Sequence, residues 1–168
     1  MTTEQMISFT TSDDVVITTT KRIAEMNMTI KNMIEDLGYD ESDDPIPLLN
    51  INSATFKRVI EYCENHVNDE PKSWELKYPD YLDSSEPWGF DAKFVGPYEN
   101  KANLPELFDI ISAADFLDNK KLLNLCCKKV AYIIKDKTTD EIRDIFCLEN
   151  DFDEEEWKKV SEETAWCD

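Results

Sequence analysis

The chain has 168 residues, of which 41% are hydrophobic and 11% aromatic, so it can form one domain with an appendage rather than two full domains. It carries 37 Asp and Glu residues against 18 Lys and Arg, which gives a formal net charge of −19. This negative field repels nucleic-acid phosphates and anionic lipid surfaces. The apolar runs are also far shorter than the roughly 20 residues that span a bilayer. We therefore expect an intracellular protein without nucleic-acid or membrane partners.

Residues for catalysis or cofactor binding are scarce. Only three glycines occur, too few for a glycine-rich loop around a phosphate group. His66 is the single histidine and Cys63 precedes it by three residues, which leaves a thiol enzyme or half of a zinc site as minor alternatives. The sequence shows no third orienting group for a thiol enzyme and no second pair of ligands for a zinc site. We expect His66 to face solvent, and we predict no catalytic residue, metal site, cofactor or small-molecule substrate.

The remaining candidates for chemistry are cysteines and carboxylates. The number of cysteines, five, is odd, and we expect no secretory signal. Both observations favour reduced thiols. Cys126 and Cys127 are adjacent and point in different directions on a helix, so we expect one buried and one half-exposed thiol rather than a redox pair. Carboxylates at 151, 153 and 155 begin like a calcium loop, but Glu156 occupies the position that requires glycine.

The N-terminal elements follow from hydrophobic spacing. Apolar residues alternate at positions 7 and 9, the turn-forming sequence SDD follows at 12–14, and Val15 and Ile17 are expected to share a face, which predicts a β-hairpin. Apolar residues at three- and four-residue steps over residues 21–37 predict a single amphipathic helix that ends at Gly38.

A loop, a short strand and a helix come next. The charged run at 40–45 ends in proline and predicts a loop. Residues 46–49 predict a short strand, which Pro47 confines to an edge or an end of the sheet. Asn52 or Ser53 can cap a helix, because the apolar residues that follow have helical spacing: Phe56, Val59, Ile60 and Cys63.

No regular element fits all of residues 65–103, since they hold four prolines and two of the three glycines. Seven aromatic residues lie among them, so we expect parts of this segment to pack on the domain while its middle remains mobile. Helical spacing resumes over 107–114 and 122–133, with a break near Asp118. Strands and helices mix without a repeating β-α-β period, which predicts an α+β fold.

The tail from Thr138 onwards is acidic and amphipathic, with twelve Asp or Glu residues and three Lys or Arg. Thr138 and Glu141 form a capping-box pattern, and Asp153 and Glu156 repeat the arrangement, so we predict two short helices. So small a segment cannot form a core of its own. Its apolar residues therefore pack on the parent domain or serve as anchors for a partner.

Several motifs in this order resemble the S-phase-kinase-associated adaptor family of SCF ubiquitin ligases. The C-terminal half carries SAADFLD (112–118), KKLL (120–123), CKKVA (127–131), KTTDEIR (137–143), NDFDEEE (150–156) and WC (166–167). The N-terminal half carries IKNMIEDLG (30–38), PIPL (45–48) and KRVIEYC (57–63). The resemblance covers most of the chain outside residues 65–105.

The resemblance implies a BTB/POZ-type α+β fold over residues 1–135, with a variable aromatic-rich insert at 65–105, followed by C-terminal helices at 136–168. It also implies a non-catalytic adaptor that is cytoplasmic and nuclear. In this family one side of the BTB domain holds a cullin scaffold, and the C-terminal helices bind the F-box of a substrate receptor.

The resemblance also assigns site residues. The family's cullin-facing Asn-Tyr pair falls on Asp115 and Phe116, where a carboxylate replaces a neutral amide and the aromatic ring lacks a hydroxyl group. The implied F-box-binding positions are Ile133, Ile142, Ile145, Phe146, Leu148, Phe152, Trp157, Val160 and Trp166. Two functions follow: an adaptor between F-box receptors and a cullin, or an F-box-binding stabiliser or assembly component that no longer binds cullin.

Overall fold

The computed structural model describes residues 5–38, 44–69 and 89–164. The chain divides into two compact units, Met1–Ile133 and Ile134–Asp168, which are described separately. The elements, in chain order, are β1 (Met6–Thr11), β2 (Val16–Thr20), α1 (Lys21–Ala24), α2 (Met28–Leu37), β3 (Ile46–Leu48), α3 (Ser53–His66), α4 (Gly89–Val95), α5 (Leu104–Phe116), α6 (Lys120–Ile134), α7 (Thr139–Phe146) and α8 (Glu154–Thr164).

A three-stranded sheet forms one layer of the first unit, in the order β2-β1-β3. The predicted hairpin is confirmed: β1 and β2 are antiparallel, and β3 lies parallel to β1 at the edge. Ile7 and Phe9 alternate towards the core and are buried. Val15 belongs to the turn rather than to β2, so it does not share a strand face with Ile17 as predicted. The prediction of an edge strand around Pro47 is confirmed.

The predicted single helix over 21–37 is wrong, because the structure divides it into α1 and α2. Asn27 separates them, with an extended backbone (φ −99°, ψ 111°) and a buried side chain. Its Nδ2 donates to the carbonyl of Ala24 at 3.2 Å, and its Oδ1 accepts from Nδ2 of Asn119 at 3.0 Å. Since a buried amide must be hydrogen-bonded, this pairing stabilises the break. The predicted end at Gly38 is confirmed, and its left-handed φ of 61° suits glycine.

Helix α3 packs against the sheet on one side and against α5 on another, and together they form the core. Asn52 caps α3 as predicted, accepting from the backbone of Thr55 at 2.8 Å. The rings of Phe9 and Phe56 meet edge to face with centroids 5.3 Å apart. The predicted break between α5 and α6 is confirmed, with Asp118 in a left-handed conformation (φ 50°). The observed sheet and helices confirm the α+β class.

Several short elements, rather than one regular element, form the parts of residues 65–103 that the structure describes. Helix α3 continues to His66, and α4 is followed by two short 3₁₀ turns. Arg58 on α3 binds α4 and the turn that follows it. Its Nη2 donates to the Phe94 carbonyl at 3.1 Å and to the Tyr98 hydroxyl at 3.3 Å. Phe94 and Tyr98 are buried, so the predicted packing of part of the insert is confirmed. The predicted mobile middle, residues 70–88, lies outside the described residues.

The second unit contains α7 and α8, and both predicted N-terminal caps are confirmed. Thr138 Oγ1 accepts from the Glu141 backbone at 3.3 Å, while Glu141 Oε2 accepts from the Thr138 backbone at 2.8 Å. Asp153 and Glu156 make the corresponding contacts at the start of α8. None of the described residues from Ile134 to Thr164 is buried. The described part of this unit therefore has two defined helices without an enclosed core.

Candidate interaction surfaces

Cys63 and His66 do not form a catalytic pair. The Cys63 thiol is buried and accepts from Nδ2 of Asn119 at 3.5 Å and from Nδ2 of Asn27 at 3.7 Å. Burial raises its pKa to about 11. A nucleophilic cysteine needs a lowered pKa and a basic partner, so this thiol is a packed part of the core.

The prediction that His66 faces solvent is wrong. Its side chain is 15% exposed, with Nδ1 2.6 Å from Oδ2 of Asp69 and Nε2 2.9 Å from Oδ1 of Asp91. The ring also stacks on Tyr62 with centroids 4.3 Å apart. His66 thus links the end of α3 to α4 as a structural residue. The carboxylate on α4 lies 25 residues further along the chain, so local spacing did not indicate it.

The other candidates for chemistry are also placed by the structure. Within the described ranges, no group of three or more His, Cys, Asp or Glu residues is arranged to hold a metal ion. Cys126 is buried and Cys127 half-buried, as predicted, and burial raises the pKa of Cys126 to about 12. Among the helices described, none combines the length and apolar composition needed to cross a membrane.

One face of α5 is a candidate interaction surface, which we call the α5 face (Phe108, Asp109, Ser112, Asp115 and Phe116). Residues spaced by four and seven along a helix share a face, which brings these side chains together. All five residues are exposed, and Phe116 is 39% exposed despite its size. The surface therefore combines two aromatic rings with two carboxylates.

Helix α2 fixes the position of the C-terminal end of the α5 face. The hydroxyl of Thr29 donates to the Phe116 carbonyl at 2.9 Å, and its backbone N–H donates to the Leu117 carbonyl at 3.2 Å. Met28 precedes Thr29 and is also exposed, so it adds apolar surface at the junction of α2 and α5. In the described part of the chain, Asp115 has no ion-pair partner, which leaves its charge available to another molecule.

The tail is a second candidate surface. Of the positions that the resemblance assigned to F-box binding, Ile133 is half-buried at the end of α6. Four more are half-buried in the second unit: Ile142, Ile145, Phe146 and Val160. Three are exposed there: Leu148, Phe152 and Trp157. Trp166 lies outside the described residues. The structure thus places seven of the nine positions in the second unit.

Arg143 is the tail residue that the sequence interpretation missed. Its guanidinium carbon lies 5.4 Å from the Trp157 ring centroid and 5.9 Å from the Phe152 ring centroid. Its Nη1 lies 3.2 Å from Oδ1 of Asp140. The local sequence could indicate only the pairing of Asp140 with Arg143, which are three residues apart on α7. It could not indicate the two aromatic partners, because both lie beyond the end of this helix.

Acidic residues surround the apolar side chains of the tail. Glu149, Asp151 and Asp153 lie in the connection between α7 and α8, and α8 begins with three glutamates at 154–156. Carboxylates at a helix N-terminus stabilise the helix, but they also produce a strong local negative field. An α+β domain with an exposed aromatic face, joined to two acidic amphipathic helices, has the surfaces of a protein-binding module.

Comparison with known proteins identifies the family of this module. A family model described as Skp1 family, tetramerisation domain, matches residues 5–68, and another, described as Skp1 family, dimerisation domain, matches residues 120–167. The chain is 42% identical over 164 residues to the SCF ubiquitin ligase complex protein SKP1a of Dictyostelium discoideum. The alignment covers 97% of this chain and 96% of that protein.

Two further relatives agree over nearly the whole length. The E3 ubiquitin ligase complex SCF subunit sconC of Arthroderma benhamiae is 39% identical, over 96% of this chain and 94% of that protein. The S-phase kinase-associated protein 1 homolog of Tetrahymena thermophila is 41% identical, over 91% of this chain and 88% of that protein. The chain belongs to the Skp1 family, which confirms the predicted family and its BTB/POZ-type fold.

Proposed function

We propose that this protein is a non-catalytic adaptor that links F-box substrate receptors to a cullin scaffold in an SCF-type E3 ubiquitin ligase. The observation that carries the proposal is the tail: seven apolar or aromatic side chains lie in a unit whose described residues include none that is buried. Covering apolar surface stabilises a complex by roughly 25 cal/mol for each Å² removed from water. The names of relatives as SCF subunits support the same role.

The tail is the surface for the F-box. Ile142, Ile145 and Phe146 recur at three- and four-residue steps on α7, which gives this helix an apolar stripe. Leu148 follows at the end of the helix and is 59% exposed. A receptor helix laid against this stripe would bury it in the manner of helix-in-groove recognition.

The α5 face is the surface for the cullin. Phe116 supplies an exposed ring, and aromatic anchors dominate the energy of many interfaces. Asp115 introduces a negative charge beside it, and a carboxylate that is covered by a partner needs a hydrogen-bond donor or a cation there. The proposed cullin therefore presents an apolar pocket together with a basic or hydrogen-bonding residue.

An adaptor of this kind acts by geometry. Holding a receptor and a scaffold on two surfaces of one chain raises the effective concentration of the receptor's substrate near the ubiquitin-conjugating enzyme. No reactive group of the adaptor takes part. The proposal places the protein in the cytoplasm and nucleus, with protein partners and without nucleic-acid, membrane or small-molecule ligands.

A second function is an F-box-binding stabiliser or assembly component that no longer binds cullin. The observation that favours it is Asp115, because an exposed carboxylate beside Phe116 opposes any cullin built to receive a neutral amide. The two functions share the tail surface and differ only at the α5 face. Substitutions on each surface can therefore separate them.

The test uses the full-length protein, an F-box segment and the N-terminal region of each available cullin, with affinities measured by calorimetry. Ile145→Asp is expected to weaken F-box binding by more than about tenfold and leave cullin binding unchanged, because it places a charge in the apolar stripe. Phe116→Ala is expected to do the reverse, so each variant is the control for the other.

Three results decide between the functions. Cullin binding that Phe116→Ala abolishes supports the adaptor, and Asp115→Asn should then change the order of preference among cullins. F-box binding without binding to any cullin supports the stabiliser. Wild-type protein that binds neither partner would contradict both functions.

A further inference from the structure

Arg143 holds an unusual position in the second unit. Its side chain is 16% exposed, although the acidic residues around it are open to solvent. The guanidinium is within 6 Å of two aromatic centroids, Phe152 and Trp157, which is the range of cation–π contact. The two rings also lie 6.2 Å from each other in a tilted arrangement.

These three residues come from three different parts of the tail. Arg143 lies in α7, Phe152 in the connection, and Trp157 in the first turn and a half of α8. Asp140, one turn before Arg143, holds the guanidinium from the side through its carboxylate at 3.2 Å. The connection also begins with a fixed geometry, because Cys147 is left-handed (φ 54°) and the Leu148 N–H donates to the Arg143 carbonyl at 2.8 Å.

We propose that Arg143, Phe152 and Trp157 form an α7–α8 clasp that holds the two tail helices in one arrangement before a receptor binds. This inference rests on the proposed F-box-binding role of the tail. It makes Arg143 a positioning residue for that surface. It also gives Phe152 and Trp157 a different role from the one the resemblance implied: their rings hold the tail together, while α7 and Leu148 supply the apolar stripe that the receptor covers.

The consequence for binding is kinetic. Helices of eight and eleven residues are too short to be stable in isolation, so the tail needs a contact that orders it. Without the clasp, only a fraction of molecules would present both helices correctly, and the apparent affinity falls by that fraction. The loss should appear in the association rate, because the complex, once formed, keeps the same receptor contacts.

The experiment measures association and dissociation rates of an F-box segment with the full-length protein. Arg143→Met keeps the length of the side chain and removes its charge, and is expected to slow association by about tenfold with little change in dissociation. Arg143→Lys keeps a cation and should recover part of the rate. Lys158→Met is the matched control, since it removes a charge of the same sign beside Trp157 on α8.

Amide hydrogen exchange of the free protein provides a second measurement that does not depend on a receptor. Residues 154–164 should exchange faster in Arg143→Met than in the wild type or in Lys158→Met. Trp157→Leu should have the same effect, and Trp157→Phe a smaller one, because a ring is retained.

The outcomes separate this inference from the proposed function. If Arg143→Met matches Lys158→Met in both association and exchange, the clasp is wrong even though F-box binding stands. If Arg143→Met instead speeds dissociation and leaves association and exchange unchanged, Arg143 contacts the receptor directly and the clasp is again wrong. If the wild type binds no F-box while exchange responds as expected, the clasp stands and the proposed function fails.

Discussion

Asp13 shows how a single side chain joins elements that are forty residues apart in the chain. It lies in the β1–β2 turn, and its carboxylate accepts from the Ser53 backbone at 2.8 Å and from the hydroxyls of Ser53 and Thr11, each at 2.6 Å. These hydrogen bonds lower the pKa of Asp13 to about 2, and the one from the Ser53 hydroxyl has the largest effect. The carboxylate therefore holds the start of α3 against the turn.

This pKa predicts a pH-dependent contribution to stability. A carboxyl group whose pKa is lowered on folding stabilises the protein above its unfolded pKa of 3.8, and the contribution is lost as the pH falls through about 2. We expect Asp13→Asn to have a lower urea midpoint than the wild type above pH 4. The difference should narrow between pH 4 and pH 2.

The matched control for Asp13 is its neighbour. The side chain of Asp14 makes none of these hydrogen bonds, and its left-handed backbone (φ 59°) is one that asparagine tolerates. Asp14→Asn should therefore leave the urea midpoint close to that of the wild type at every pH. An Asp13→Asn midpoint equal to that of Asp14→Asn across the range would show that the carboxylate does not stabilise the fold.

At the scale of single residues, the partners of polar side chains could not be predicted from the sequence. The Asn27 break depends on Asn119, which is 92 residues away, and the two carboxylates around His66 belong to different segments. Hydrophobic spacing carries no information about such partners. The proposed α7–α8 clasp could not be predicted for the same reason. The sequence around Arg143 on α7 does not indicate which aromatic rings lie beside its guanidinium.

At the scale of elements, helix ends were predicted better than helix continuity. Asn52, Gly38 and Thr138 mark ends correctly because capping is a local interaction between residues a few positions apart. Helix α4 was missed because its seven residues lie between proline and glycine and are held by Arg58 from α3. Tertiary contacts, rather than propensity, thus form this helix.

The capping box of α7 gives a prediction for that element. The hydrogen bonds between Thr138 and Glu141 show that the box is formed. Those from the Thr138 backbone and then from its hydroxyl lower the pKa of Glu141. Thr138→Ala removes the hydroxyl that accepts from the Glu141 N–H. Loss of such a cap costs about 1 kcal/mol of helix stability. We expect amide exchange of residues 141–146 to speed up about fivefold.

Thr139 provides the control for this measurement. It is the first residue of α7, where alanine is well tolerated, so Thr139→Ala should leave exchange nearly unchanged. Equal exchange rates in Thr138→Ala and Thr139→Ala would mean that contacts elsewhere in the tail, rather than the cap, hold this helix.

At the scale of the whole molecule, the chain joins an α+β domain that has a closed core to a tail in which no described residue is buried. The domain buries large apolar side chains from β1, α3 and α5, including Phe9, Phe56, Leu107 and Ile110. In the described part of the tail, the seven positions that the resemblance assigned to F-box binding are all half-buried or exposed. This division, on a chain of net charge −19, supports the proposal of an adaptor with one protein-binding surface on the domain and another on the tail.

The most direct test of the adaptor is whether one molecule of this protein holds both partners at once. Equimolar full-length protein, F-box segment and cullin N-terminal region are applied to size exclusion with light scattering. The account predicts one species with the mass of a 1:1:1 complex, which disappears when this protein is omitted. Separate elution of the cullin from an F-box complex, or competition of the two partners for this protein, would contradict the account.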